Sequence, residues 1–147
     1  MRITSRGEYG VRALFDLALH YGQGTVPLKQ IAERQGISEH YLEQLMAAMR
    51  KSGLVKSVRG ALGGYELVQP PHAVRIGDVL RALEGPIMTQ SDSEAAIQDD
   101  IHRQALSALW QRIDDRINQV LDDYTLADLL DKVEDLRADT GALMWHI

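Results

Sequence analysis

A glycine at position 36 stands between two short runs of helical period, and that break constrains the fold more than any other feature of the chain. Before it, Leu28, Ile31 and Ala32 recur at helical spacing as far as Gln35. After it, Ser38 is a capping residue for a run whose inward face reads Leu42, Leu45 and Met49, ending at Ser52 and Gly53. Two short helices joined by Gly36 and Ile37 make a helix-turn-helix. The period then changes: Leu54 to Val58 reads as a strand, Gly60, Gly63 and Gly64 as a flexible turn, and Tyr65 to Val68 as the returning strand, closed by Pro70 and Pro71. A hairpin in that place is a wing. The fold class expected is mainly α with a small β-hairpin wing, a winged helix-turn-helix followed by a long dimerisation helix.

The flanking segments complete that plan. Ser5 with Glu8 three residues on is a capping-box signature, and Tyr9, Val11, Leu14, Leu17, Ala18 and Tyr21 follow it at helical spacing to an end near His20 to Gly22. Ile76, Val79, Leu80 and Leu83 mark another helix, closed by Gly85 and Pro86. Residues 1–85 are therefore expected to form the DNA-binding domain and 86–100 a loop, since Met88 to Asp100 is polar, acidic and aperiodic. Residues 101–147 are expected to supply a dimerisation helix and a C-terminal tail. In that helix Ala105, Leu109, Ile113, Ile117, Val120 and Leu121 lie three or four apart, and a second copy is the expected cover for them, with folding back on its own core as the alternative. Thr125 caps a last, short helix with Leu126, Leu129 and Leu130 inward, after which Gly141 is expected to loosen the chain.

Charge divides the chain. The first 85 residues carry 11 Lys+Arg against 8 Asp+Glu, net +3, and the remainder carries 5 against 13, net -8, which together give the overall -5. Arg50, Lys51, Lys56 and Arg59 stand in one stretch with no acid before Glu66, a footprint for phosphate unless it is a solvated surface run. The chain contains no cysteine, which excludes disulfides, thiolate zinc sites, a cysteine nucleophile and an all-cysteine iron-sulfur cluster. Its five histidines form no metal-spaced pair and there is no nucleophile elbow, so no enzyme, cofactor or metal site is expected. No apolar run approaches the length of a membrane span, and Met1 to Glu8 is polar, so the expected location is cytoplasmic.

If Leu42, Leu45 and Met49 face the core, helical geometry turns Glu39, His40, Glu43, Ala47 and Arg50 outward. The N-terminal part of the second helix enters the major groove in this motif, which makes His40 and Glu43 candidates for base edges, unless Glu39 and Glu43 are an ordinary solvated pair. A carboxylate there repels phosphate at every sequence and is offset mainly by accepting from cytosine N4, so Glu43 would discriminate rather than anchor. Arg59, at the turn of a glycine-rich hairpin, suits a narrow minor groove, and Lys56, Ser57 and Arg50 would hold phosphates. A protein-interaction adaptor whose helix-turn-helix does not bind DNA is the competing reading, and the basic wing argues against it.

The opening Met1-Arg-Ile-Thr-Ser-Arg-Gly-Glu-Tyr-Gly10, the run Ile37-Ser-Glu-His-Tyr-Leu-Glu-Gln-Leu45, and the wing Gly53-Leu-Val-Lys-Ser-Val-Arg-Gly60 followed by Gly63-Gly-Tyr65 resemble the bacterial Rrf-type ("Rrf-two") winged-helix regulators. The resemblance implies a homodimer whose long helix crosses its partner. It implies double-stranded DNA as the ligand, with His40, Glu43 and Arg59 where the family contacts bases; Ser38 and Gln44 are expected to read bases beside them, and Arg50, Lys51, Lys56 and Ser57 to hold phosphates. Cluster-binding members place three cysteines after the position of Gly85, whereas Met88 to Gln104 has none and His102 is the only soft ligand nearby. The chain is more similar to the cysteine-free branch, whose members repress sulfur-assimilation and cysteine genes and are coupled to cysteine availability through cysteine synthase. Its apolar end, with Trp145, His146 and a terminal Ile147, resembles a peptide that docks into that enzyme; packing of the tail on the dimer helices is the alternative.

Overall fold

The computed structural model describes residues 3–86, 94 and 96–145, with side chains as far as 141. The elements run α1 (Ser5–Leu19), α2 (Leu28–Gln35), α3 (Glu39–Lys51), β1 (Val55–Val58), β2 (Gly64–Leu67), a short 3-10 turn (Pro71–Ala73), α4 (Ile76–Glu84), α5 (Asp100–Asp123) and α6 (Leu126–Trp145). The hairpin is antiparallel, pairing Val55 with Leu67 and Val58 with Gly64. The chain is a mainly helical winged-helix fold.

Local chemistry explains the helix-turn-helix. Gly36 takes the left-handed conformation (φ 63°, ψ 37°) that ends α2 and that a side chain would resist. Two residues later the Ser38 hydroxyl accepts from the Tyr41 amide at 3.2 Å and starts α3. One core then forms from three sources: Leu14 and Leu17 of α1, Ile31 of α2, and Leu42, Leu45, Met46 and Met49 of α3, all buried. Val55 and Leu67 bring the hairpin into it, and Val79 and Leu83 bring α4.

A buried acid fixes α2 on α1. Asp16 is 1% exposed and accepts from Arg34 Nε at 2.9 Å, Arg34 Nη2 at 2.7 Å and Gln35 Nε2 at 3.2 Å. The bidentate fork satisfies both carboxylate oxygens where water cannot. Between α1 and α3, Tyr9 and Tyr41 meet edge to face at 5.9 Å, and Arg12 lies over the Tyr9 ring.

Three expectations are corrected. The capping box at Ser5 does not form: Thr4 is the N-cap, and its side chain makes no cap bond within its own helix. Instead Glu84, at the end of α4, accepts from the Thr4 amide at 2.7 Å, the Gly7 amide at 3.1 Å and the Thr4 hydroxyl. Burial raises the pKa of that carboxyl, but the bonds from Thr4 and Gly7, with the charge of Arg6, outweigh it and hold the group below the ordinary glutamate value. The second correction is the last helix. It is 20 residues long and passes through Gly141 without ending, because one interior glycine costs only about 1 kcal/mol relative to alanine and its neighbours favour helix. The third is Tyr21, which is exposed beyond the end of α1 rather than on its inner face.

The long helix α5 is capped by Asp99, which accepts from the Ile101 and His102 amides at 2.9 and 3.2 Å. It has no buried residue. Leu109 is 48% exposed, Trp110 41% and Val120 57%, while Ile113, Ile117 and Leu121 are half-buried, so packing on the core covers its apolar positions only in part. Leu126, at the start of α6, is by contrast fully buried in the core. Most of the expected loop, residues 87–93 and 95, lies outside the described residues, as do His146 and Ile147. Trp145 ends α6.

Candidate nucleic-acid interface

Burial divides α3 into two faces. Leu42, Leu45, Met46 and Met49 are buried, while Glu39, His40, Glu43, Gln44, Ala47 and Arg50 are exposed. That is the division inferred from helical period, and it sets the base-edge candidates on one solvent-facing surface. His40 and Gln44, one turn apart, approach within 3.3 Å through their Nε2 atoms. Ser38 stands at the N-terminus with its hydroxyl oxygen accepting from the helix. Glu43 makes no ion pair among the described residues. Arg50 and Lys51 close the helix at its C-terminal end, where the dipole favours cations.

The wing is held in place at its base and its tip. The amide of Val26 donates to the Tyr65 carbonyl and the amide of Tyr65 to the Val26 carbonyl, both at 2.8 Å, so the loop before α2 adds an isolated bridge to β2. Gly64 permits this approach, since a Cβ there would overlap the Val26 carbonyl. At the tip the Thr25 hydroxyl donates to the Leu62 carbonyl at 2.7 Å. Arg50 Nη1 donates to Ser57 Oγ at 3.3 Å, joining α3 to β1. Lys56 pairs with Glu66 at 3.2 Å across the hairpin, whereas Arg59 has no acidic partner among the described residues.

Of the residues singled out from sequence, Ser38, His40, Glu43, Gln44, Arg50 and Lys51 thus share α3, and Lys56, Ser57 and Arg59 share the wing. Leu62 was missed. It is 92% exposed on a backbone pinned by Thr25, and the only sequence signal for it is a large apolar residue inside a glycine turn. No helix of the described residues is long and apolar enough to cross a membrane.

A family model described as Rrf2, an iron-dependent transcriptional regulator, matches residues 3–132. The chain belongs to the Rrf2 family. Among relatives of this Rrf2 protein, the HTH-type transcriptional regulator CymR of Bacillus subtilis (strain 168) is 46% identical over 129 residues, covering 88% of this chain and 89% of CymR. The solved structure of CymR, titled the global cysteine regulator of B. subtilis, superposes with a TM-score of 0.76 at 43% identity, over 90% of this chain and 98% of that one. The structure of T. potens IscR superposes with a TM-score of 0.72 at 46% identity, over 92% and 90% of the two chains. The chain is accordingly a transcription regulator of the Rrf2 family and not an enzyme.

The family description names iron, and the donor set of this chain does not fit a thiolate-held cluster. The sequence has no cysteine, and among the described residues no three His, Asp or Glu side chains gather as metal ligands. His102 is exposed and lies 3.9 Å from the Asp99 carboxylate that caps its own helix.

Proposed function

We propose that this chain binds DNA as a homodimer and regulates transcription from an operator of two-fold symmetry, with residues 1–85 as the reading head and 101–147 as the dimerising part. The observation that carries this reading is the outward face of α3, polar from His40 to Arg50, beside a wing whose tip offers Arg59 with no acidic partner among the described residues. Ser38, His40, Glu43 and Gln44 read base edges in the major groove, and Arg59 enters the minor groove. Arg50, Lys51, Lys56 and Ser57 hold phosphates, Lys56 by exchanging its partner Glu66 for the DNA. The half-exposed apolar positions of α5 supply the second subunit with its contact.

Likeness to the global cysteine regulator of B. subtilis supports genes of cysteine metabolism as the targets, and we propose that the chain represses them. The apolar sequence of the tail, with Trp145, His146 and Ile147, is what supports cysteine synthase as a docking partner. The test is a fluorescence-anisotropy titration of promoter duplexes against salt. Arg59→Ala should weaken specific binding at least about tenfold. Binding that is indifferent to salt, or untouched by Arg59→Ala, would sink the reading. For the tail, deletion of Ile147 should abolish binding to the host's cysteine synthase and leave DNA binding intact.

A further inference from the structure

The segment before α4 and the junction between α5 and α6 are stitched together through the backbone. The Ile76 amide donates to the Tyr124 carbonyl at 2.8 Å, the Leu126 amide donates to the Val74 carbonyl at 3.0 Å, and Arg75 and Thr125 form an antiparallel bridge. Farther along α4, Arg81 makes a second attachment to α5. Its Nη2 donates to Asp122 Oδ1 at 2.7 Å and, with Nε, to Asn118 Oδ1 at 3.1 and 3.2 Å. Asn118 is itself oriented, its Nδ2 donating to the Asp114 carbonyl at 2.9 Å. Gly77 makes room for the arrangement, since a Cβ there would overlap Asp122 Oδ1. Asp78 steadies Arg81 from its own helix at 3.4 Å.

A single attachment would leave α5 free to pivot against α4. Two attachments along both helices remove that freedom, and α4 is locked into the same core as α3 through Val79 and Leu83. We infer that the Arg81 node, together with the backbone clamp at Tyr124 to Leu126, fixes the angle between reading head and dimer helix and so sets the spacing of half-sites that the dimer accepts. The inference rests on the dimer reading above. Arg81 touches no DNA in it and is a positioning residue. Because a step of one base pair turns a half-site by about 34°, a small change in head angle translates into a different preferred spacing.

The absence of cysteine makes the test direct. In the full chain, Ala47→Cys on the exposed face of α3 carries one nitroxide label, and pulsed electron double resonance reads the distance between the two labels of a dimer. With Arg81 present one narrow distance distribution is expected. Arg81→Ala and, separately, Gly77→Ala should at least double its width, and Arg81→Lys should recover part of the sharpness. On duplexes whose half-sites are moved apart one base pair at a time, the parent should lose about tenfold or more per step off its optimum and Arg81→Ala only about threefold or less. Equal widths in parent and both variants would overturn the inference, as would a loss of affinity that is the same at every spacing. A parent without any dipolar signal would sink the dimer reading, and this inference with it.

Discussion

Replacing Arg34 by leucine leaves Asp16 buried with its main partner gone, and the structure sets the size of the effect. Breaking a fully buried ion pair costs about 3–5 kcal/mol, most of it the penalty on the charge left behind. Here the Arg34 side chain is 38% exposed and Gln35 still donates to Asp16 at 3.2 Å, so the expected cost is toward or below the lower end, about 2–3 kcal/mol. For 147 residues, with an unfolding entropy of about 2.1 cal/mol/K per residue, 1 kcal/mol corresponds to roughly 3 °C, which puts the fall in Tm at roughly 6–9 °C. The double variant Asp16→Leu with Arg34→Leu should melt above the Arg34→Leu single variant, because no orphan carboxylate remains. Thermal denaturation at pH 7, followed by circular dichroism, measures both. A single variant that loses less than about 0.5 kcal/mol, or a double variant whose loss is the sum of the two singles, would refute the argument.

Other expectations separate the parts of the interface. Glu43→Ala should relax base preference by about 1–3 kcal/mol at one position per half-site while weak, salt-sensitive binding persists; equal weakening on every sequence in a competition assay would contradict this. Leu62→Ser should reduce DNA bending in a circular-permutation gel if the leucine wedges between base steps, and an unchanged bend angle would assign the wing tip to Arg59 alone. Glu84 has a lowered folded-state pKa, so its stabilisation is present above about pH 4.5 and is lost as pH falls through the lower folded value; Glu84→Gln should flatten that acid limb in a urea series against pH. Anaerobic reconstitution with iron and sulfide should leave the protein colourless, and a stoichiometric cluster absorbance would show that carboxylate and histidine ligands suffice.

Features set by neighbours in sequence were legible before the structure. Gly36, Ser38 and the alternation of apolar positions in α3 act within a turn or two, so period and capping chemistry locate them. The turn of the wing was legible from its glycines in the same way. What escaped depends on partners far along the chain. The cap of α1 comes from Glu84, 80 residues beyond Thr4, and a local capping box at Ser5 loses to it. Arg81 looks like an ordinary charge on a helix until Asn118 and Asp122 meet it. Gly141 is expected to loosen the chain after a short helix, yet the helix continues because the cost of one glycine is small against the bonds on either side. Exposure at Leu62 reflects where the Thr25 bond holds the backbone, a matter of tertiary structure.

If two copies of α3 and its wing read DNA together, selection from randomised duplexes will show it in the symmetry of the sequences recovered. Full-length protein should enrich an inverted repeat, with half-sites one helical turn of about 10 base pairs or a multiple apart, and Glu43→Ala should enrich the same repeat with one position per half-site relaxed. Enrichment of a single asymmetric motif, or of no sequence at all under salt where binding persists, would contradict it.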